Sequence, residues 1–270
     1  MTLEDDPVQR RLVFLIATTS VLSVAGPALS SQPLETESSR LLRAHQVEVE
    51  AGFEHQRAAD GTETAVPMAI GYGLTDRLEL LVEPILIDRV RDKGLRGVGG
   101  IGDLEVTLTS QLYGGTREHS GFALASEVKL PTARNRRIGS GRTDFTLWSI
   151  ASHRAGRWDT HVNLGYTLIG RPPGVSVNNV INYGAAEEFR LSSSWEVLGE
   201  VFGNTAALAE AGEQTGGTGE SATTPEIGGA ETVGALGVRL RTVYGLTYSL
   251  GISYDSRKAV LVHPGLSITF

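Results

Sequence analysis

The sequence predicts an all-β protein, a transmembrane antiparallel β-barrel of about twelve strands, and three observations carry that expectation. Apolar and polar residues alternate through segment after segment, the connections alternate long and short, and the chain ends on a two-faced strand with a terminal aromatic residue. In that last stretch, residues 258–270 (KAVLVHPGLSITF), Val260, Val262, Pro264, Leu266, Ile268 and Phe270 share one face. Ala259, Leu261, His263, Gly265, Ser267 and Thr269 share the other. A period of two held over such a length is a strand with unlike faces.

Taken in order, the chain begins with Arg10 and Arg11, an apolar run over residues 12–24, and the small residues AGPALSSQ. That order reads as a secretory signal peptide over residues 1–30, because a run of about 13 residues is too short to span a bilayer as a helix. A polar spacer over residues 31–42 is expected to be mobile, and the barrel is expected over residues 43–270. Its first strand, RAHQVEVEAGFE, alternates Val47, Val49, Ala51 and Phe53 against Gln46, Glu48, Glu50 and Gly52. TETAVPMAIGYGL and RLELLVEPILIDRV flank a tight connection at Thr75 and Asp76. The second of these sets Leu78, Leu80, Val82, Pro84 and Leu86 opposite Glu79 and Glu83.

GDLEVTLTSQLYG places Leu104, Val106, Leu108 and Leu112 against Asp103, Glu105, Thr107, Thr109 and Gln111. SGFALASEVKLP places Phe122, Leu124, Val128 and Leu130 against Ala123, Ala125, Glu127 and Lys129. RTDFTLWSIASHR follows, and in WDTHVNLGYTLI the residues Trp158, Val162, Leu164, Tyr166 and Leu168 oppose Asp159, His161 and Asn163. NVINYGAAEEFRL, WEVLGEVFGN, ETVGALGVRLR and YGLTYSLGISYD continue the scheme, with Leu246, Tyr248, Leu250, Ile252 and Tyr254 as the clearest apolar face. Pro67, Pro84 and Pro264 each remove a ladder donor and are expected at bulges or strand ends. Glu187 and Glu188 are adjacent, so one of them faces lipid unless a bulge intervenes or the pair lies near the interface, where the penalty is small.

Long connections (residues 55–62, 91–101, 132–141, 170–177 and 206–230) alternate with short ones (75–76, 114–119, 155–157, 192–194 and the turn before Tyr244). Short turns at one end and long loops at the other is the pattern of a membrane barrel, and an even strand number puts both termini at the short-turn end. Trp158 and Trp195 open strands directly after short turns, where an aromatic girdle belongs, and Phe270 falls at the same level. A soluble sandwich or lipocalin-like barrel also alternates, but its apolar residues point inward, and the apolar face here is too long and continuous for a small core.

Composition removes several function classes. A net charge of −7 argues against nucleic-acid binding, which needs a basic face. The stretch GVGGIG at residues 97–102 is not followed by a helix and is no dinucleotide loop. His119, His153, His161 and His263 show no metal spacing. No cofactor, metal or catalysis is implied.

The polar phase collects Glu48, Glu50, Glu79, Glu83, Asp103, Glu105, Glu127, Lys129, Asp144, Asp159, His161, Asn163, Glu196, Glu200, Arg239 and Arg241. These are the pore-lining candidates, serving either as a selectivity lining or as a salt-bridged interior that holds the barrel. Arg134, Arg136 and Arg137 are expected outside, as a solvated loop or a contact to lipopolysaccharide phosphates.

The closing strand resembles the terminal strand of bacterial outer-membrane barrels, where the final aromatic residue is read by the barrel-assembly machinery. GYGLTDRLEL (residues 71–80), GIGDLEV (100–106), EVKLPT (127–132), GSGRTD (139–144) and HVNLGY (161–166) together resemble the outer-membrane family labelled "MetA-pathway of phenol degradation", often called simply transporter. The sequence departs from it at Ala133, where Gly is expected, and in the basic loop that follows. The resemblance implies a porin-like barrel in the bacterial outer membrane, exported through the inner membrane and folded among lipid and lipopolysaccharide. Its implied function is passive passage of small molecules, aromatic or hydrophobic ones among them. The alternatives are an outer-membrane lipid hydrolase and a structural or adhesive barrel acting through its extracellular loops, residues 206–230 above all.

Overall fold

The computed structural model describes residues 34–114, 119–171, 177–207, 230–242 and 245–270. The expected signal peptide and most of the 206–230 loop lie outside the described residues. The first strands are β1 (Val47–Gly52), β2 (Glu54–Arg57), β3 (Gly61–Thr75), β4 (Leu78–Asp92), β5 (Val98–Gly100), β6 (Leu104–Tyr113) and β7 (Ser120–Leu130). Then come β8 (Asp144–Ala155), β9 (Trp158–Leu168), β10 (Val180–Arg190), β11 (Trp195–Asn204), β12 (Glu231–Arg241), β13 (Leu246–Asp255) and β14 (Val260–Thr269). β1 with β2, and β5 with β6, are single strands interrupted by a few residues, so the wall has twelve staves. The sheet closes where β1 pairs antiparallel with β14, Glu48 opposite Thr269 and Gly52 opposite Gly265, and closure leaves no free edge.

The alternation read from the sequence decides which way each stave faces. Leu164, Leu236, Leu250 and Ile252 stand more than half exposed on the outside. An apolar exterior that wraps a closed sheet has no protein layer to pack against and suits a bilayer. The inner face carries the charges. Trp158, Trp195 and Phe270 are exposed together at the short-turn rim, and Trp158 packs on Phe189 with ring centroids 4.5 Å apart. The Ala155 to Arg157 turn is tight because Gly156 takes a φ of 61°, which a side chain disfavours.

The three prolines sit at ladder irregularities. Pro67 marks the register shift between β3 and β4, Pro84 the break between β5 and β6, and Pro264 faces the Phe53 interruption between β1 and β2. Three expectations need correction. Residues 55–62 are not a long loop: β2 and β3 extend through most of them and leave only Ala58 to Asp60 as the connection. Likewise β4 and β5 run into the expected 91–101 loop. Leu86 stays on the outer face with Leu78 to Pro84, but the irregularity opposite Pro67 resets the phase directly after it, so Ile87 is exposed as well and Asp88 turns inward. The basic loop is only half solvated. Arg137 bonds Asp92 at 2.6 Å and the Arg96 carbonyl at 2.7 Å, and Ile138 is buried against Gly100, while Arg134 and Arg136 are exposed.

Candidate functional site

The interior of the barrel is the candidate site, and its wall divides into two electrostatic halves. Along β1 to β7 the inner face carries Glu48, Glu50, Glu54, Glu63, Glu79, Glu83, Asp88, Glu105 and Glu127, with Asp103 just before β6. Lys129 is the inward cation of these strands among the described residues, and it pairs with Asp144 across the ladder. Register sets Glu83, Glu105, Lys129 and Asp144 side by side on four neighbouring strands. Like charges directly opposite one another, as Glu83 and Glu105 are, repel. Several carboxylate oxygens on this side, on Glu54, Glu79, Glu83 and Asp88, are buried without a protein partner.

On the opposite half most of the carboxylates are paired with cations. Arg239, 2% exposed, bonds Glu188 at 3.2 Å and Glu196 at 3.1 Å, and Arg241 bonds Glu196 at 3.0 Å. Asp159 accepts from Arg154 Nε at 2.7 Å and from Arg40. Glu231 pairs with Arg257. The interior is not uniformly polar: Ala123, Ala125, Trp148 and Ile150 form an inward apolar patch, with the Trp148 indole donating to Glu127 at 2.9 Å. Gly165 lies beneath that ring, where a Cβ would come within 2.6 Å of it.

Residues 34–42, expected to be a mobile spacer, instead run through the lumen. Thr36 is 1% exposed and Ser39 0%. The segment's backbone groups are capped by wall side chains: Glu35 N–H and Thr36 N–H donate to the Glu200 carboxylate at 2.9 Å, and Leu42 N–H donates to Glu79 at 2.6 Å. Ser39 N–H donates to Ser152 Oγ at 2.8 Å, and its carbonyl accepts from Gln111 Nε2 at 2.6 Å. Asn163, with its amide turned as its neighbours require, donates to the Glu37 carbonyl at 3.0 Å. Leu34 packs on Ala186 and Leu198.

Glycines make room for the segment. A Cβ on Gly73 would overlap the Arg43 carbonyl oxygen, one on Gly184 would fall 2.5 Å from Thr36 Oγ1, and Gly121 abuts Ser39. The chain enters from the short-turn rim through a turn at His45, whose φ is 66°, its N–H donating to the Gly73 carbonyl at 2.7 Å. At the level of Ser39 the facing wall, Gln111, Ala123, Ile150, Asn163 and Leu198, is also almost fully buried. Water therefore does not reach those side chains.

All of the sequence-predicted lining residues lie on the inner face, but the structure gives them different duties. Glu79, Asp159, Asn163 and Glu200 hold the segment. Glu196, Arg239 and Arg241 form an ion-pair network with Glu188, which sequence reasoning left off the inner face. Glu187, its neighbour, points outward near the short-turn rim and accepts from Thr160 Oγ1 at 2.6 Å. Glu54, Glu63, Asp88, Arg40 and Arg154 were also missed. Glu54 keeps the inner phase of Glu48 and Glu50 and was legible, whereas Asp88 was hidden by the phase reset.

Asp159, His161 and Glu188 place their donor atoms within 4.8 Å of one another, close enough for one metal ion. His161 Nε2 lies 3.8 Å from each carboxylate, but Arg40, Arg154 and Arg239 already supply the positive charge those carboxylates need. Beside them, at the short-turn end, lies a cavity of about 420 Å³ lined by Arg40, Arg154, Asp159, His161, Glu188 and Arg239.

Comparison with known proteins adds the fold and no finer identity. No family model matches the chain, nor does any curated protein sequence. Among solved structures the chain is similar to the KdgM porin in complex with disordered oligogalacturonate, with a TM-score of 0.54 and 8% identity over 83% of this chain and 99% of that one. It is similar also to the KdgM porin alone, with a TM-score of 0.50 and 8% identity over 82% and 99%. These are outer-membrane barrels, so the architecture expected from the sequence holds. The phenol-degradation label expected from short motifs is not confirmed.

Proposed function

We propose that the protein is an outer-membrane channel for small solutes with a preference for cations, exported across the inner membrane and held among lipid and lipopolysaccharide with its short turns in the periplasm. The observation that carries this reading is the surplus of carboxylates on the β1 to β7 wall. A barrel that only had to hold its shape would gain nothing from burying like charges, whereas a solute path uses them to attract and select ions. The porin-like neighbours support the fold on which this rests. Aromatic or hydrophobic solutes, expected from the family resemblance, fit the apolar patch at Trp148 but not the acidic wall.

The test is conductance and reversal potential in planar bilayers, for the full chain and for a variant lacking residues 34–42. Cation selectivity that falls in a Glu83→Gln, Glu105→Gln double variant supports the reading. A folded barrel with no conductance in either form refutes it.

Two contacts favour the hydrolase alternative enough to name it. Ser120 Oγ lies 2.8 Å from His153 Nδ1 on the outer face, and Ser152 Oγ lies 2.9 Å from His161 Nδ1 inside. Neither makes a complete site. Among the described residues no carboxylate bonds His153, those near His161 are held by arginines, and strand N–H groups spent in the ladder offer no oxyanion hole. Labelling of Ser120 or Ser152 by a fluorophosphonate, lost in the matching Ser→Ala variant, would revive that reading.

A further inference from the structure

The lumen already contains a ligand, and its chemistry is visible. Three wall carboxylates receive N–H donors from residues 34–42. The Arg40 guanidinium sits on Asp159, the N–H groups of Glu35 and Thr36 on Glu200, and that of Leu42 on Glu79. These are the donors a free guanidinium or ammonium group would bring, and the guanidinium fork is shaped for a carboxylate. Ser39 and the wall residues that it bonds, Gln111 and Ser152, are almost fully buried, so a solute that takes those contacts has to displace the segment.

We infer that residues 34–42 are a built-in competitor for the lumen's acidic sites, closing the channel at rest, and that solutes bearing guanidinium or ammonium groups open it by taking over Asp159, Glu200 and Glu79. This deepens the channel reading and rests on it. The segment withdraws toward the short-turn rim, because it is tethered there at His45 and Gln46. A neutral solute, even one with N–H donors of its own, brings no positive charge to replace the Arg40 guanidinium on Asp159, so it does not shift the equilibrium.

The chain contains no Cys, which permits a direct test with one engineered cross-link. A Cβ on Gly121 would lie 3.5 Å from the Ser39 Cβ, within the range that a disulfide spans. The Ser39→Cys, Gly121→Cys protein is refolded, confirmed as a barrel by its heat-modifiable migration, and placed in vesicles. Efflux is compared for guanidinium and for urea, a neutral molecule of the same size and planar shape.

The expected result is guanidinium efflux exceeding urea efflux in the reduced form, and both at the level of protein-free vesicles in the oxidised form. Equal guanidinium efflux in the two forms overturns the gate. Urea keeping pace with guanidinium in the reduced form overturns the solute class. Absence of efflux in the reduced form and in the variant lacking residues 34–42 alike points instead to failure of the channel reading itself. Arg40→Gln, which leaves Asp159 its Arg154 partner, provides a second measurement that needs no cross-link. It is expected to raise the efflux of both probes, and unchanged efflux removes Arg40 as an anchor.

Discussion

Substituting Gly73 by Ala isolates the docking of the segment from the stability of the wall. The added methyl would overlap the Arg43 carbonyl oxygen and come within 2.8 Å of the Arg43 carbonyl carbon and 3.1 Å of the Leu42 carbonyl oxygen. All three are backbone atoms, so no rotamer change relieves the overlap and the segment itself has to move. Overpacking of this kind costs about 1–3 kcal/mol. Charged to the docked state alone, that weakens docking by about 5- to 150-fold.

The assay uses Ser39→Cys as the single thiol of the chain and measures its rate of modification by a membrane-impermeant maleimide. Docked, the side chain at residue 39 is wholly buried, so the rate follows the undocked fraction. Adding Gly73→Ala is expected to raise the rate within that range while the barrel's heat-modifiable migration is retained. An unchanged rate in a folded barrel would refute the reasoning, because the segment would then have accommodated a methyl group where its own backbone lies.

Arg239→Gln leaves Glu188 without its guanidinium partner and Glu196 with Arg241 alone, and removal of one member of a buried pair costs about 3–5 kcal/mol. The midpoint of urea unfolding in detergent should fall, and an unmoved midpoint would show that water replaces the pair. His45→Val puts a β-branched residue at a φ of 66°, costing roughly 1–2 kcal/mol at the turn that feeds the segment inward, so Ser39→Cys modification should quicken. Trp158→Ala removes the ring packed on Phe189 at the rim, worth about 0.5–1.5 kcal/mol beyond its buried area, and should lower barrel stability in vesicles without changing ion selectivity.

The wall was legible and the segment was not, for one physical reason. Strand facing is local: each side chain's direction follows from its neighbours two positions away, so β6, β7 and β9 could be assigned face by face from the sequence. Where a register shift intervened, as opposite Pro67, the phase was lost and Asp88 went with it. Residues 34–42 have no periodicity of their own, and their partners are far away in the chain: Ser39 meets Ser152 across 113 residues, and Glu35 meets Glu200 across 165. Nothing local in TESSRLL says that it will be enclosed.

A signal was nonetheless present on the wall side. Gly73, Gly121 and Gly184 occupy the inner phase of β3, β7 and β10, and each lies against the segment. Glycine inside a strand costs about 0.5–1 kcal/mol relative to alanine, and an inner face washed only by water would have no use for that loss. Three such positions on three staves mark a close backbone approach. The wall is therefore shaped to a chain lying inside it, as a lumen built solely for water and ions would not be.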